Sequence, residues 1–174
     1  SMPLQEVHFE NSKSIIGAND LIYVPKNLGE FNEDSPSEEL IDSIGLMKLG
    51  CTATHIGNNT LITAGHCLQP KFFDFHKDIP CNRDLSVNWG VRGSFRGYLE
   101  SKCVRIIAAE NSIERDFAII KIDKAPKSYF ELYKGGEPQL NQTMTIYSHP
   151  MKRPLQWSKT CTNLGRKDLG QWNS

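Results

Sequence analysis

The sequence predicts an all-β domain, a sandwich or barrel of short strands. Three observations carry this: short strand-like runs bounded by Gly and Asn turns, no sustained apolar periodicity of 3.6 residues, and an ordinary globular composition, 39% apolar and 23% charged. A chain of 174 residues suffices for one ordinary domain or for two small barrels sharing an interface.

Residues 1–40 are polar and irregular, with Glu30, Glu33, Asp34, Glu38 and Glu39 clustered around Ser35-Pro36-Ser37, and predict a surface-wrapping arm. Inside it, Ser14-Ile15-Ile16-Gly17 holds a short apolar run that reads by itself as a strand. A β unit over 41–123 follows, with strands at 44–49, 51–56 and 60–64, and then at 85–91, 97–99, 104–109 and 117–122. Gly57-Asn58-Asn59 supplies the turn before 60–64, because Gly and Asn tolerate the left-handed backbone of a tight hairpin. Phe72-Phe73-Asp74-Phe75 reads as a loop, and Ala108-Ala109-Glu110 as the one candidate helical turn. Lysine, proline and glycine over 124–138 predict a linker. A second β section over 139–174 begins with a strand at 144–147, stops at His149-Pro150, resumes over 155–162 and trails into a polar loop.

Twenty basic and twenty acidic side chains cancel, which excludes the electrostatic footprint of a nucleic-acid partner or a cationic membrane-surface protein. No apolar run approaches bilayer length, so no membrane partner is expected either. Five cysteines, Cys51, Cys67, Cys81, Cys103 and Cys161, are an odd number whose spacing leaves the pairing open. Four could pair with one left over, or all five could be reduced core residues of a cytosolic protein.

Two segments carry chemistry. Leu61-Ile62-Thr63-Ala64-Gly65-His66-Cys67 ends an apolar run in a histidine, the side chain best suited to take and return a proton near neutral pH. Downstream, Glu114-Arg115-Asp116 precedes the apolar strand Phe117-Ala118-Ile119-Ile120, placing an acid at the head of that strand. A zinc site from Cys51, His66 and Cys67 is conceivable by ligand type, but no Cys-x-x-Cys or His-x-x-x-His spacing organises it. The remaining histidines, His8, His55, His76 and His149, read as structural or solvent-facing.

Over residues 15–161 these motifs resemble the trypsin-like serine proteases, and are most similar to the glutamyl-endopeptidase-like branch of secreted bacterial enzymes. Gly65 departs from the commoner Ala-Ala-His-Cys, in the manner of that branch, and Ile146-Tyr147-Ser148-His149-Pro150 is similar to its Gly-Tyr-Pro run, with Ser148 in place of glycine. The resemblance implies a chymotrypsin-like double antiparallel β-barrel, complete in its first barrel and only begun in its second. It implies His66 as general base, Asp116 as the acid that orients it, and peptide-bond hydrolysis on a peptide or protein substrate without metal or cofactor. It also implies disulfides Cys51–Cys67 and Cys81–Cys103, a secreted or periplasmic location, and a zymogen whose mature amino terminus begins at Ile15. The family's Gly-Asp-Ser-Gly nucleophile motif does not occur in the sequence. Cys161 lacks the flanking glycines that expose a nucleophile, and Trp172-Asn173 before Ser174 lacks them too. The expectation is therefore that a C-terminal chain cut from the same precursor supplies the serine and is disulfide-linked through Cys161. The alternative is a catalytically inactive, protease-like binding module.

Overall fold

The computed structural model describes residues 21–30 and 37–165. The segment Ser14 to Asp20, His8 and Ser174 lie outside the described residues.

The described chain is mostly β. Its strands are β1 (Ile22–Tyr23), β2 (Ile44–Met47), β3 (Thr52–His55), β4 (Thr60–Thr63), β5 (Phe73–Ile79), β6 (Val87–Trp89) and β7 (Leu99–Ser101). They continue with β8 (Cys103–Asn111), β9 (Asp116–Ile122), β10 (Thr143–Met144), β11 (Tyr147–Ser148), β12 (Gln156–Trp157) and β13 (Cys161–Thr162). Eight of them form one antiparallel sheet in the order β5-β8-β9-β4-β3-β2-β6-β7. Two small antiparallel sheets, β1-β12-β11 and β10-β13, accompany it.

Period-two burial explains the large sheet. In β9 Ala118, Ile120 and Ile122 point inward, in β4 Leu61 and Thr63, in β6 Val87 and Trp89. The sheet curls so that Leu61, Val87, Trp89, Ala118, Ile120 and Ile122 meet Met47, Ala53, Ile106 and Ala109 in one core. Trp89 is fully buried, and its indole N–H donates to Ser101 Oγ at 2.6 Å, which in turn donates to the Lys124 carbonyl at 2.6 Å. The hairpin between β3 and β4 turns through Gly57, Asn58 and Asn59, all at positive φ, as the composition of that segment predicts.

Three local expectations are corrected. The Ala108-Ala109-Glu110 segment is strand, not helix, because pairing along both edges of β8 overrides alanine's preference. The Phe72-Phe73-Asp74-Phe75 segment contains the start of an edge strand, β5, whose residues lie half-buried or exposed, so no inward-facing alternation marks it. The 155–162 run is split, with Lys159 at positive φ between β12 and β13.

A helix, α1 (Glu38–Asp42), takes up Glu38 and Glu39 of the acidic cluster. Ser37 caps it by accepting from the Leu40 N–H, and Glu38 and Glu39 complement its first turn. The arm is also less superficial than its composition suggests. Val24 beyond β1 and Ile41 of α1 are fully buried against Ile44, Leu155 and Trp157 in a second core. Arg92 clamps the same region, donating to the Lys26 and Gly90 carbonyls and pairing with Glu38 at 3.0 Å and Asp42 at 3.2 Å.

His149 joins the second β section to the first. Its backbone N–H donates to Thr52 Oγ1 at 2.8 Å, and its Nδ1 meets the Arg153 carbonyl at 2.9 Å while the ring is buried. Burial pushes this imidazole below its ordinary value of 6.5, against the raising effect of the Arg153 carbonyl. As pH falls through 6.5 the unfolded chain takes up this proton before the folded one, so folded stability declines. His149→Asn, which retains a donor for Arg153, is expected to weaken that decline, measured as urea midpoints on either side of pH 6.5. An identical pH slope in the variant would contradict it.

Candidate active site

After Thr63 the chain leaves β4 through extended Ala64 and enters a 3-10 turn, Gly65–Cys67, that carries His66. Two constraints fix the turn. Gly65 lies flat against the facing strands: a β-carbon there would overlap the Glu110 carbonyl oxygen of β8 and stand 3.0 Å from the Phe117 carbonyl of β9. On the other side, Cys67 is disulfide-bonded to Cys51, just before β3, with Cα atoms 6.3 Å apart. A second disulfide joins Cys81 to Cys103.

The first disulfide closes a sequence separation of 16 residues. In the loop-entropy account its removal costs about 3 kcal/mol. Replacing Cys51 and Cys67 together with serine is expected to lower the unfolding free energy by that amount, read from urea unfolding. A loss under about 0.5 kcal/mol, the size of an ordinary surface substitution, would contradict it.

Asp116 is the first residue of β9, opposite Asn111 at the end of β8. Its carboxylate reaches back across 50 residues to the histidine turn with both oxygens. Oδ1 accepts the His66 backbone N–H at 2.9 Å, and Oδ2 lies 2.7 Å from His66 Nδ1. An ionised carboxylate only accepts, so Nδ1 carries the proton and donates it, and the Nε2 lone pair is left on the outer side of the ring. Nε2 has no partner among the described residues, and the His66 side chain is 50% exposed.

Partial burial pushes the Asp116 carboxyl up. The hydrogen bonds from the His66 side chain and backbone, the His66 charge and the Gly65 N–H together outweigh burial, and the group ends below its usual 3.8.

These residues line a groove of about 510 Å³. Leu49, the Cys51–Cys67 disulfide, Pro70 and Phe72 make its apolar wall, and His66, Asp116, Asn111 and Arg83 its polar side. Asn111 is buried and holds the loop under Phe72, its Nδ2 donating to the Gln69 and Lys71 carbonyls, each at 3.2 Å. Sequence reading named neither Asn111 nor Arg83. The first sits in a strand of ordinary pattern and the second in a polar loop, so nothing local distinguishes them.

The ligand atoms of Cys51, His66 and Cys67 lie within 4.8 Å of one another. The two sulfurs are bonded to each other, however, and are not thiolate donors. The other described histidines stand apart from this groove. His55 is buried with Nδ1 against the Ser128 carbonyl at 2.6 Å, His76 stacks on Phe73, and His149 is in the junction described above. Cys161 is half-buried and outside both disulfides. Neither a family model nor a curated protein matches the chain.

Proposed function

We propose that this chain carries the general base and the orienting acid of a serine endopeptidase. The observation that supports this most strongly is the two-point grip of Asp116 on His66, which sets the tautomer and turns the basic Nε2 outward into a groove. A base so held takes the proton of an attacking hydroxyl and returns it to the leaving amine. Asp116 stabilises the imidazolium in between without itself becoming protonated.

No serine hydroxyl lines the groove among the described residues. The proposal assigns the nucleophile to a further polypeptide of the same precursor, which adds strands to the second β section. The small sheets there favour this reading. Two-stranded ribbons are marginal alone, and Leu140, Met144, Ile146 and Leu164 around β10-β13 are exposed apolar side chains. A disulfide through Cys161 to that polypeptide, activation by a freed amino terminus at Ile15, and export to a secreted or periplasmic compartment belong to the same proposal. The two disulfides are compatible with such a compartment. The absence of a serine from the groove also favours a second reading, an inactive protease-like module that retains the groove for peptide binding.

A fluorophosphonate probe applied to the protein expressed from its complete gene and cleaved before Ile15 separates the two. Covalent labelling that His66→Ala abolishes supports the protease. Absence of labelling under conditions where trypsin is labelled would overturn it and leave the binding module.

A further inference from the structure

One set of ligand-type side chains at the groove has no part in the proposed chemistry. Cys51, His66 and Cys67 each offer one ligand atom there, and these atoms lie within 4.8 Å of one another. In the oxidised chain the two sulfurs are spent on each other. Once reduced, they are two thiolates beside an imidazole, the donor set of a tetrahedral zinc site that keeps one open position. Zn–S bonds of ~2.3 Å and a Zn–N bond of ~2.0 Å set such ligand atoms roughly 3.5 to 3.8 Å apart, so the imidazole nitrogen has at most about 1.3 Å to travel. The sulfurs must part to that spacing, which rotation about the two cysteine side chains supplies from Cα atoms 6.3 Å apart. Both cysteines line the groove and Cys51 is only half-buried, so a small dithiol has access to the bond.

We infer that reduction of Cys51–Cys67 by a dithiol turns the histidine turn into a zinc site built from Cys51, Cys67 and His66, and that zinc bound there silences the base. A thiolate of the reductant attacks one sulfur to give a mixed disulfide, and its second thiolate closes a cyclic disulfide and releases both cysteines. Two electrons pass from the dithiol to the protein, and zinc then displaces the two thiol protons to water. The metal takes one nitrogen of the ring. At Nε2 it occupies the lone pair of the base, and at Nδ1 it replaces the proton that Asp116 accepts. The dyad is lost in either case. Losing one cross-link costs less than the stability of an ordinary domain, so the reduced chain keeps its fold, and a metal held by the folded state alone stabilises it further. The metal site needs no nucleophile, whereas the silencing rests on the reading of His66 as a general base.

Cobalt(II) is the probe, because it occupies zinc sites and reports thiolate ligation and tetrahedral geometry by absorption. The protein expressed from its complete gene and cleaved before Ile15 is titrated with cobalt, oxidised in one sample and in the other reduced with a dithiol that is then removed without air. The reduced protein is expected to bind one cobalt per chain with a thiolate charge-transfer band and intense visible bands, both abolished by zinc, and the oxidised protein to show neither. Replacing Cys81 and Cys103 together with serine is expected to leave these bands, and replacing Cys51 and Cys67 to remove them. His66→Ala is expected to weaken binding at least about 100-fold, since even outer-shell partners of a metal are worth 10–100-fold. Absence of the bands from the reduced protein, bands that survive the loss of Cys51 and Cys67, unchanged affinity in His66→Ala, or loss of the folded circular dichroism signal on reduction would each overturn the site. Fluorophosphonate labelling is expected to persist on reduction, to vanish when zinc is added and to return with a chelator, and labelling that zinc leaves unchanged would overturn the silencing. Labelling of an oxidised protein that forms no cobalt site when reduced would leave the protease reading standing without this inference. A cobalt site in a protein that never labels would uphold the metal site and remove the protease reading.

Discussion

Asp116→Asn is expected to reduce kcat/KM of the complete protein by a factor on the order of 10⁴ while leaving the fold intact. The reason lies in which atom carries the proton. In the native dyad the carboxylate can only accept, so Nδ1 is protonated and Nε2 is the base. An asparagine keeps a carbonyl oxygen for the His66 backbone N–H but turns its amide N–H₂ toward Nδ1. Nδ1 then accepts, the proton moves to Nε2, and no lone pair faces the nucleophile. Steady-state hydrolysis of a peptide amide measures this, with circular dichroism as the control for folding. A rate within tenfold of the native protein would contradict the assignment of roles.

The same substitution changes acid stability with a definite sign. The Asp116 carboxyl sits below its usual 3.8 in the folded chain, so its contribution is present above that value and is lost as pH falls through the folded value. The asparagine variant lacks this component of acid unfolding.

Gly65→Ala is expected to destabilise the chain by about 3 kcal/mol, the upper part of the range for overpacking, because the new methyl meets backbone that cannot rotate away. The turn can relieve the overlap only by lifting off β8 and β9, which carries His66 away from Asp116. Urea unfolding measures the first effect, and the nuclear magnetic resonance signal of the His66 Nδ1 proton, held by Asp116 in the native state, the second. A variant that unfolds like the native protein and keeps that signal would show that the turn has room the structure does not display. The Cys51–Cys67 disulfide holds the turn from its other side, so its loss and the glycine substitution act on one element and are not expected to add.

How much of this was legible in the chain differs by residue. Gly57-Asn58-Asn59 announced its hairpin because positive φ has a small set of tolerant residues, and all three adopt it. The β9 strand was legible as the continuous apolar run Phe117-Ala118-Ile119-Ile120, while its alternation toward one buried face through Ala118, Ile120 and Ile122 was visible only in the structure. β5 was hidden because an edge strand with half-buried ends and an exposed middle carries no inward alternation. The Ser37 cap and the two glutamates after it were a readable start for α1, obscured by a charge cluster that also fits an irregular arm. Val24 then buried part of the arm that composition had left at the surface.

The candidate site divides the same way. His66 and Asp116 stood out because Thr63-Ala64-Gly65-His66-Cys67 and the strand headed by Asp116 resemble the motifs of the trypsin-like proteases; an isolated histidine in a turn would have read as structural. That they meet is a matter of register. β4 pairs with β9 and β9 with β8, so the end of one strand and the start of another arrive side by side from 50 residues apart. The residue types, the period-two pattern and the turn glycines are local properties, and the amino-acid sequence by itself determined them. The proximity of carboxylate and imidazole and the flat seat of Gly65 against Glu110 were decided by the tertiary structure alone. Each depends on distances between strands far apart in the chain, and no local preference encodes such a distance.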